Sequence, residues 1–412
     1  MNENNTPDTS RLAAATKVVV IGGGYSGTLA ANQLRLRGDV DITLVNPRPK
    51  FVERIRLHQL VAGNYDACVD YGTLLGEGIR LVVDTATRID RARSVALASG
   101  RELDYDYVIY AVGSTGAVPA SVPGAADFAY PVAELEQAQR ARAAIDKLHQ
   151  DAPVTVVGGG LTGIEVATEL AEQGHKVTLV CGGQLVPSLS AAGRRSVAKV
   201  LAKLRVAVLE ADVVTEVRSD AVVFADGAVR PSALTIWTAG FGVPELAAAS
   251  GLRTDAMGRL LTDETLTSLD DPRIVAAGDC AAPSGDPLRM CCATASQLGP
   301  QAANTVLSRI AGAEPAPLEY GFAGNSCTSL GRRGGIVQFG RSDNTTMNAY
   351  LGGRAGAIVK EAICKGTILG LRLQARRPGS AYWYKGGPRP EKPAFGDERS
   401  REEQHTEVVT GT

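Results

Sequence analysis

Two glycine-rich turns, each fed by an apolar run, constrain this chain more than any other feature. Val18-Val19-Val20-Ile21 leads into Gly22-Gly23-Gly24-Tyr25-Ser26-Gly27, and the stretch Thr28 to Arg37 is predicted to be helical. In a Gly-x-Gly-x-x-Gly turn, the first glycine (Gly22) permits the tight turn. The second (Gly24) lets the backbone approach a diphosphate, and the third (Gly27) lets helix and strand pack closely. The free N–H groups at the helix start hold the anion, helped by a macrodipole worth ~0.3–1 kcal/mol at an exposed site. One such pattern also fits a plain βα turn with no ligand. A second copy changes the weighing. Val154-Thr155-Val156-Val157 runs into Gly158-Gly159-Gly160-Leu161-Thr162-Gly163, again strand first and helix after. Two copies in one chain imply two nucleotide-binding domains.

The length of 412 residues, with 44% hydrophobic content, allows two or three domains with proper cores. Forty-three basic residues stand against 44 acidic ones, a net charge of −1, so no global field favours nucleic acid or an acidic membrane. Aromatic content of 5% argues against stacking platforms for single-stranded nucleic acid. Seven scattered cysteines, an odd count, make no disulfide framework and point to a reducing cytoplasm. Four histidines lie far apart without ligand spacing, so no metal site is expected. Met1 to Thr16 reads as a polar tail, and no run of about eighteen apolar residues is present to span a bilayer.

After the first turn, Asp41 to Asn46 alternates like a second parallel strand. An acid near its end commonly accepts from ribose hydroxyls. Here Asn46 stands instead, and it either contacts ribose or starts the turn Asn46-Pro47. Arg48, Arg54 and Arg56 follow among Glu53 and His58, flanking a ligand or forming a solvated face. From Arg80 to Tyr110 short strands joined by turns suggest a β-meander, ending at Ala111-Val112-Gly113-Ser114. Another meander, Val213 to Val229, leads to Thr235-Ile236-Trp237-Thr238-Ala239-Gly240, which repeats the strand-to-glycine ending. Then Arg273-Ile274-Val275-Ala276-Ala277-Gly278 delivers Asp279 to a turn.

This order of elements resembles the pyridine nucleotide–disulfide oxidoreductase superfamily, and most of all its type II NADH dehydrogenase and apoptosis-inducing-factor-like branch. The resemblance covers Lys17 to Ser308 and, more faintly, Ser329-Leu330-Gly331-Arg332-Arg333. It implies an α/β fold with two Rossmann-like dinucleotide-binding domains. The FAD domain is then discontinuous (17–124 and 246–318) and the NAD(P) domain inserted (125–245). A C-terminal α+β interface region (319–385) follows, with tails at 1–16 and 386–412. For FAD the resemblance implies Gly22, Gly24, Tyr25, Ser26, Gly27, Asn46, Pro47, Arg54, Ala86, Ala111, Gly113, Gly278, Asp279 and Ala293. Asp279 would bond the ribityl hydroxyls; its competing role is to cap the following turn. For NAD(P)H it implies Gly158, Gly160, Leu161, Thr162, Gly163, Cys181 and Gly240. Neither the acid that marks NADH nor the arginine that marks NADPH stands at Cys181. Arg194 and Arg195 lie downstream on a predicted helix, and the resemblance leans to NADH.

The activity implied is hydride transfer from NAD(P)H to FAD, then electrons to a quinone or other small acceptor. Two other outcomes compete: electron delivery to a ferredoxin-like protein, and a nucleotide-responsive switch with little turnover. Glu165 falls where the family places an acid near the nicotinamide–flavin junction; a plain first-turn helix acid is the alternative. The quinone-reducing branch often carries a Pro-Thr-Ala-Gln-like run where this chain has Ala293-Thr294-Ala295-Ser296, which shifts the glutamine to Gln297. No Cys precedes Cys68 and no Cys-x-x-Cys occurs, against disulfide reduction; Cys291-Cys292 read as ordinary buried thiols or a strained vicinal bridge. Ala355 to Arg377 is amphipathic, either leaning on a membrane's inner face or packing as an interface or core helix. A homodimer is a further expectation.

Overall fold

The computed structural model describes residues 15–319, 325–341 and 345–381. The predicted tail 386–412 and nearly all of 1–16 lie outside the described residues. Two five-stranded parallel sheets dominate the architecture. The first has the spatial order Ile274–Ala276, Tyr107–Tyr110, Thr16–Ile21, Val40–Asn46, Ile79–Val83. The second has the order Ala129–Pro131, Leu234–Trp237, Pro153–Val157, Lys176–Val180, Ala207–Leu209. In each, the strand before the glycine turn is central, flanked by the strand that follows its helix and by one that arrives late. That is the same half-fold built twice. Parallel sheets are covered on both faces, which explains why Val18, Val19, Val20 and Ile21 are all buried in an unbroken apolar run.

The predicted meander from Arg80 to Tyr110 is only partly one. Ala86–Asp90, Ser94–Leu97 and Glu102–Asp104 form a three-stranded antiparallel sheet. Ile79–Val83 and Tyr107–Tyr110 instead join the parallel sheet. A short apolar run looks alike in either setting, and only pairing partners decide. The second meander is observed as Val214–Val217, Ala221–Phe224 and Val229–Pro231.

The first glycine-turn helix spans Tyr25–Leu34, three residues earlier at each end than the predicted start and finish. All ten of its residues are buried, because the helices Cys292–Ile310 and Gly353–Arg376 cross its outer side. The crossing is close. A Cβ on Gly299 would stand 2.3 Å from the Ser26 carbonyl oxygen, so only glycine fits. A third antiparallel sheet, Ser326–Ser329, Gly335–Gly340 and Thr346–Gly352, leads into helix Gly353–Arg376. That helix buries Gly356, Lys360, Cys364, Ile368, Leu371 and Ala375, one stripe at helical spacing. It is thus a core-facing helix along that stripe, while Ile358, Ile363, Leu369 and Leu373 are exposed.

Candidate functional site

Each glycine turn has two kinds of glycine. A Cβ on Gly27 would lie 1.8 Å from the Gly22 carbonyl oxygen, and one on Gly163 equally close to that of Gly158. Gly22 and Gly158 sit at φ +103° and +117°, open to glycine alone. Gly24 and Gly160 differ: both have ordinary φ, −74° and −79°, and nothing lies within 4 Å of an added Cβ. Their lack of a side chain serves neither strain nor packing. It leaves space at a helix N-terminus, where an anion is stabilised.

Between the two sheets lies a cavity of about 570 Å³. Its wall takes Tyr25, Arg54, His58, Ser114 and Asp279 from the first unit and Leu161, Thr162, Glu165, Trp237 and Gly240 from the second. The start of helix Cys292–Ile310 contributes Cys291, Cys292, Ala293 and Ala295, and the last region contributes Cys327 and Lys360. Asp279 reaches this wall through the turn Gly278–Cys280, with Gly278 at φ +82° tucked against Ser26. Arg54 Nη1 donates to Ser114 Oγ at 3.1 Å, and Ser114 Oγ donates to Asp279 Oδ2 at 2.7 Å. Arg54 Nε also donates to the Ala133 carbonyl at 3.0 Å, across to the second unit. Asp279 Oδ1 is buried with no partner among the described residues. An unpaired buried carboxylate oxygen costs free energy, so it calls for a donor from a ligand.

Elsewhere on the same wall three charged or titratable side chains converge. Glu165 Oε1 lies 3.2 Å from Lys360 Nζ and Glu165 Oε2 3.4 Å from His58 Nδ1. Ser329 N donates to Glu165 Oε1 at 3.0 Å, and Ser329 Oγ stands 3.0 Å from His58 Nε2. Burial pushes His58 down to about 4, so its ring is neutral near pH 7. Burial opposes the charge of Glu165, yet the facing His58 ring when protonated, the Lys360 ammonium and the Ser329 N–H outweigh it and hold the carboxyl below its ordinary value. Lys360 is likewise raised despite its burial, chiefly by Glu165. The faint Ser329–Arg333 likeness has a structural meaning: Gly331 N donates to Thr168 Oγ1 at 2.9 Å and Arg332 Nη1 to Glu169 Oε1 at 3.1 Å. The segment docks on the second glycine-turn helix, Leu161–Glu172.

Other predicted residues fall elsewhere. Asn46 is buried and spent on the chain itself, its Oδ1 accepting from Gly23 N at 2.9 Å and its Nδ2 donating to Arg48 O at 2.7 Å. Pro47 follows it in the turn. Ala86 begins the antiparallel sheet, opposite Leu97. Ala111 packs its carbonyl against Gly22, and Gly113, at φ +72°, lies beside Arg54. Cys181 packs against Gly159. Gln297 does not line the cavity; it is buried, with neither amide atom partnered among the described residues. The basic stretch is no solvated face: Arg56 is buried, bonded by two nitrogens to Glu361 at 3.0 Å each. Arg48 pairs with Glu134 and Glu136. Ser114, His58 and Lys360 are cavity groups that sequence reasoning did not select. His58 stood only as a neighbour of the basic stretch that holds Arg48, Arg54 and Arg56, the one available signal. All seven cysteines are free thiols. Burial raises Cys292 to about 12 and Cys364 to about 11, so neither is a ready nucleophile. No cluster of metal-ligating side chains occurs among the described residues.

The profile of the pyridine nucleotide-disulphide oxidoreductase family matches residues 16–305. The chain belongs to that family. It is an oxidoreductase that works with NAD(P)H and FAD. An NADH dehydrogenase-like protein of Mycobacterium tuberculosis is 31% identical over 296 residues, covering 65% of this chain and 73% of that protein. A type II NADH:quinone oxidoreductase of the same organism is 26% identical, covering 81% and 82%. The sulfide:quinone oxidoreductase of Aquifex aeolicus shares the fold, with TM-score 0.74 at 20% identity over 89% and 93% of the two chains.

Proposed function

We propose that this member of the family oxidises NAD(P)H and reduces a quinone or comparable small acceptor. When bound, FAD supplies the two-electron relay between them. The observation that carries this reading is the unpartnered Asp279 Oδ1 in a cavity walled by both glycine-turn units. Residues 17–124 and 246–318 then form the FAD unit and 125–245 the inserted NAD(P)H unit. Gly22, Gly24, Ser26 and Gly27 cradle one diphosphate; Gly158, Gly160, Leu161, Thr162 and Gly163 cradle the other. Asp279, braced by Ser114 and Arg54, accepts from a sugar-chain hydroxyl. Asn46 acts on the first cradle by bracing Gly23 through its amide oxygen rather than by touching the ribose.

Reducing a quinone takes up protons as well as electrons. Glu165 is not set up to store such a proton, because its carboxyl is held below the ordinary range; ionised against Lys360 and facing His58, it offers a fixed acceptor that orients a proton-bearing group of a ligand in the cavity. The carboxylate pays for its burial through Lys360, which no water-filled surface site would require.

One observation supports contact with a lipid surface. The exposed side of helix Gly353–Arg376 carries Ile358, Ala362, Leu369 and Leu373, interleaved with Arg354, Lys365, Arg372 and Arg376. An apolar stripe with a basic border suits an anionic membrane face, and so a lipid-dissolved acceptor. No described helix is long and apolar enough to cross a membrane. The deciding experiment is anaerobic titration of the yellow holoprotein with NADH and with NADPH, followed by added quinone or ferredoxin. Bleaching by a nucleotide and prompt recovery with quinone is the expected result. Recovery only with ferredoxin would move the acceptor to a protein, and slow recovery with every acceptor would make the chain a switch.

A further inference from the structure

Strand Lys176–Val180 ends without an acid, in Cys181-Gly182-Gly183. Cys181 cannot stand in for one. A Cβ on Gly159 would fall 2.6 Å from the Cys181 Cβ and 2.7 Å from its Sγ, so the thiol is packed against the second glycine turn. Burial, then the nearby Glu210, raises it to about 11, which keeps it neutral.

The carboxylate comes from the next strand over. Ala207–Leu209 pairs in parallel with Thr178–Val180 and runs directly into Glu210. Three backbone bonds strap the two strand ends together: Cys181 N to Leu209 O at 2.8 Å, Gly183 N to Glu210 O at 2.6 Å, and Gly182 N to Asp212 O at 3.1 Å. Glu210 Oε2 accepts from Leu185 N at 3.2 Å, which aims the side chain back over this loop. Gly182 and Gly183 lie at φ +67° and +148°, and nothing stands within 4 Å of an added Cβ on either. The loop therefore leaves open space beside a held carboxylate. No Lys or Arg occurs from Cys181 to Gly193, and Arg194 commits Nη1 to the Leu189 carbonyl at 2.8 Å.

We propose that Glu210 reads the 2′ position of the adenosine ribose and makes NADH, not NADPH, the donor. This rests on the reading above that the second glycine turn holds NAD(P)H. A 2′-hydroxyl donates to the carboxylate. A 2′-phosphate carries its charge against Glu210, with no cation in the loop to offset it. The role that an acid usually plays at the end of the second strand is moved one strand outward.

Calorimetric titration of the holoprotein with ADP-ribose and with 2′-phospho-ADP-ribose tests this without any turnover. The wild type is expected to bind ADP-ribose at least about 10-fold more tightly, and Glu210→Gln to bring the two within about 3-fold. The Gln amide oxygen still accepts from Leu185 N, so the fold is preserved; an unchanged melting temperature and flavin spectrum check this. Glu210→Lys is expected to reverse the order, and the kcat/KM ratio for NADH over NADPH to move in step. Equal or tighter binding of the phosphorylated fragment by the wild type overturns the assignment, as does an unchanged ratio in Glu210→Gln. Failure of both fragments to bind any variant overturns the reading of the second glycine turn itself, a different result from equal binding of both.

Discussion

Glu165 on the second glycine-turn helix and Lys360 on helix Gly353–Arg376 meet at 3.2 Å inside the protein, 7% and 9% exposed. The last region thereby completes the wall of a cavity whose other sides belong to the two nucleotide units. Removing one partner of a buried ion pair strands the other charge, typically at a cost of 3–5 kcal/mol. Lys360→Met should lower the melting temperature clearly, by about that free energy, and raise the Glu165 carboxyl towards neutrality. The double variant Glu165→Gln/Lys360→Met should recover part of the loss. Thermal melts of the four proteins form the cycle, and strictly additive effects would count against the pairing.

His58 sets a pH dependence of definite sign. Its unfolded ring protonates near 6.5 and its native ring only near 4. Between those values the unfolded chain binds the extra proton, so stability is full above about 6.5 and falls as pH drops to about 4. The loss is at most about 3 kcal/mol. Glu165, held low in the folded state, adds a further loss as it protonates at still lower pH. Melting curves from pH 7 to 4.5 should show this decline, and His58→Asn should flatten its upper part.

The glycines divide by function in a way that a variant pair can read. Gly27→Ala would place a methyl 1.8 Å from a carbonyl oxygen and should disrupt the first unit, giving little soluble protein. Gly24→Val, at an ordinary φ with open space around it, should fold with a near-native far-ultraviolet spectrum yet come out colourless. Full flavin content in Gly24→Val would show that no diphosphate lies there.

Asp279 should matter in proportion to the charge-assisted bond it offers. Asp279→Ala should weaken flavin retention by about 10- to 100-fold, the equivalent of 1.5–3 kcal/mol for a hydrogen bond to a charged group. Ser114→Ala, which frees Oδ2 but leaves the carboxylate, should have a smaller effect. Absorbance of protein to flavin after dialysis reports both.

The exposed stripe of helix Gly353–Arg376 predicts co-sedimentation with vesicles rich in phosphatidylglycerol, declining with added salt as screening sets in. Ile358→Asp combined with Leu369→Asp should abolish it without changing the melting temperature, since both side chains are at least 67% exposed.

Much of this molecule was legible in its residues because the requirements are local. A tight turn at positive φ needs Gly22 and Gly158, close approach needs Gly27 and Gly163, and a strand covered on both faces needs the run Val18–Ile21. Asp279 could be singled out because a strand, a glycine and an acid stand consecutively. Tertiary structure alone decided the rest. Whether Ile79–Val83 belongs to a meander or to the parallel sheet depends on a partner, Val40–Asn46, that periodicity does not name. Lys360 looks like one more surface cation among Arg354 and Lys365 until folding places it against Glu165. Cys181 looks like a missing acid until strand pairing sets Glu210 beside it. Contacts between residues far apart in the chain carry no spacing signal. The chain's order states which local shapes are possible, and burial, by making an unpaired charge costly, selects which distant side chains must meet.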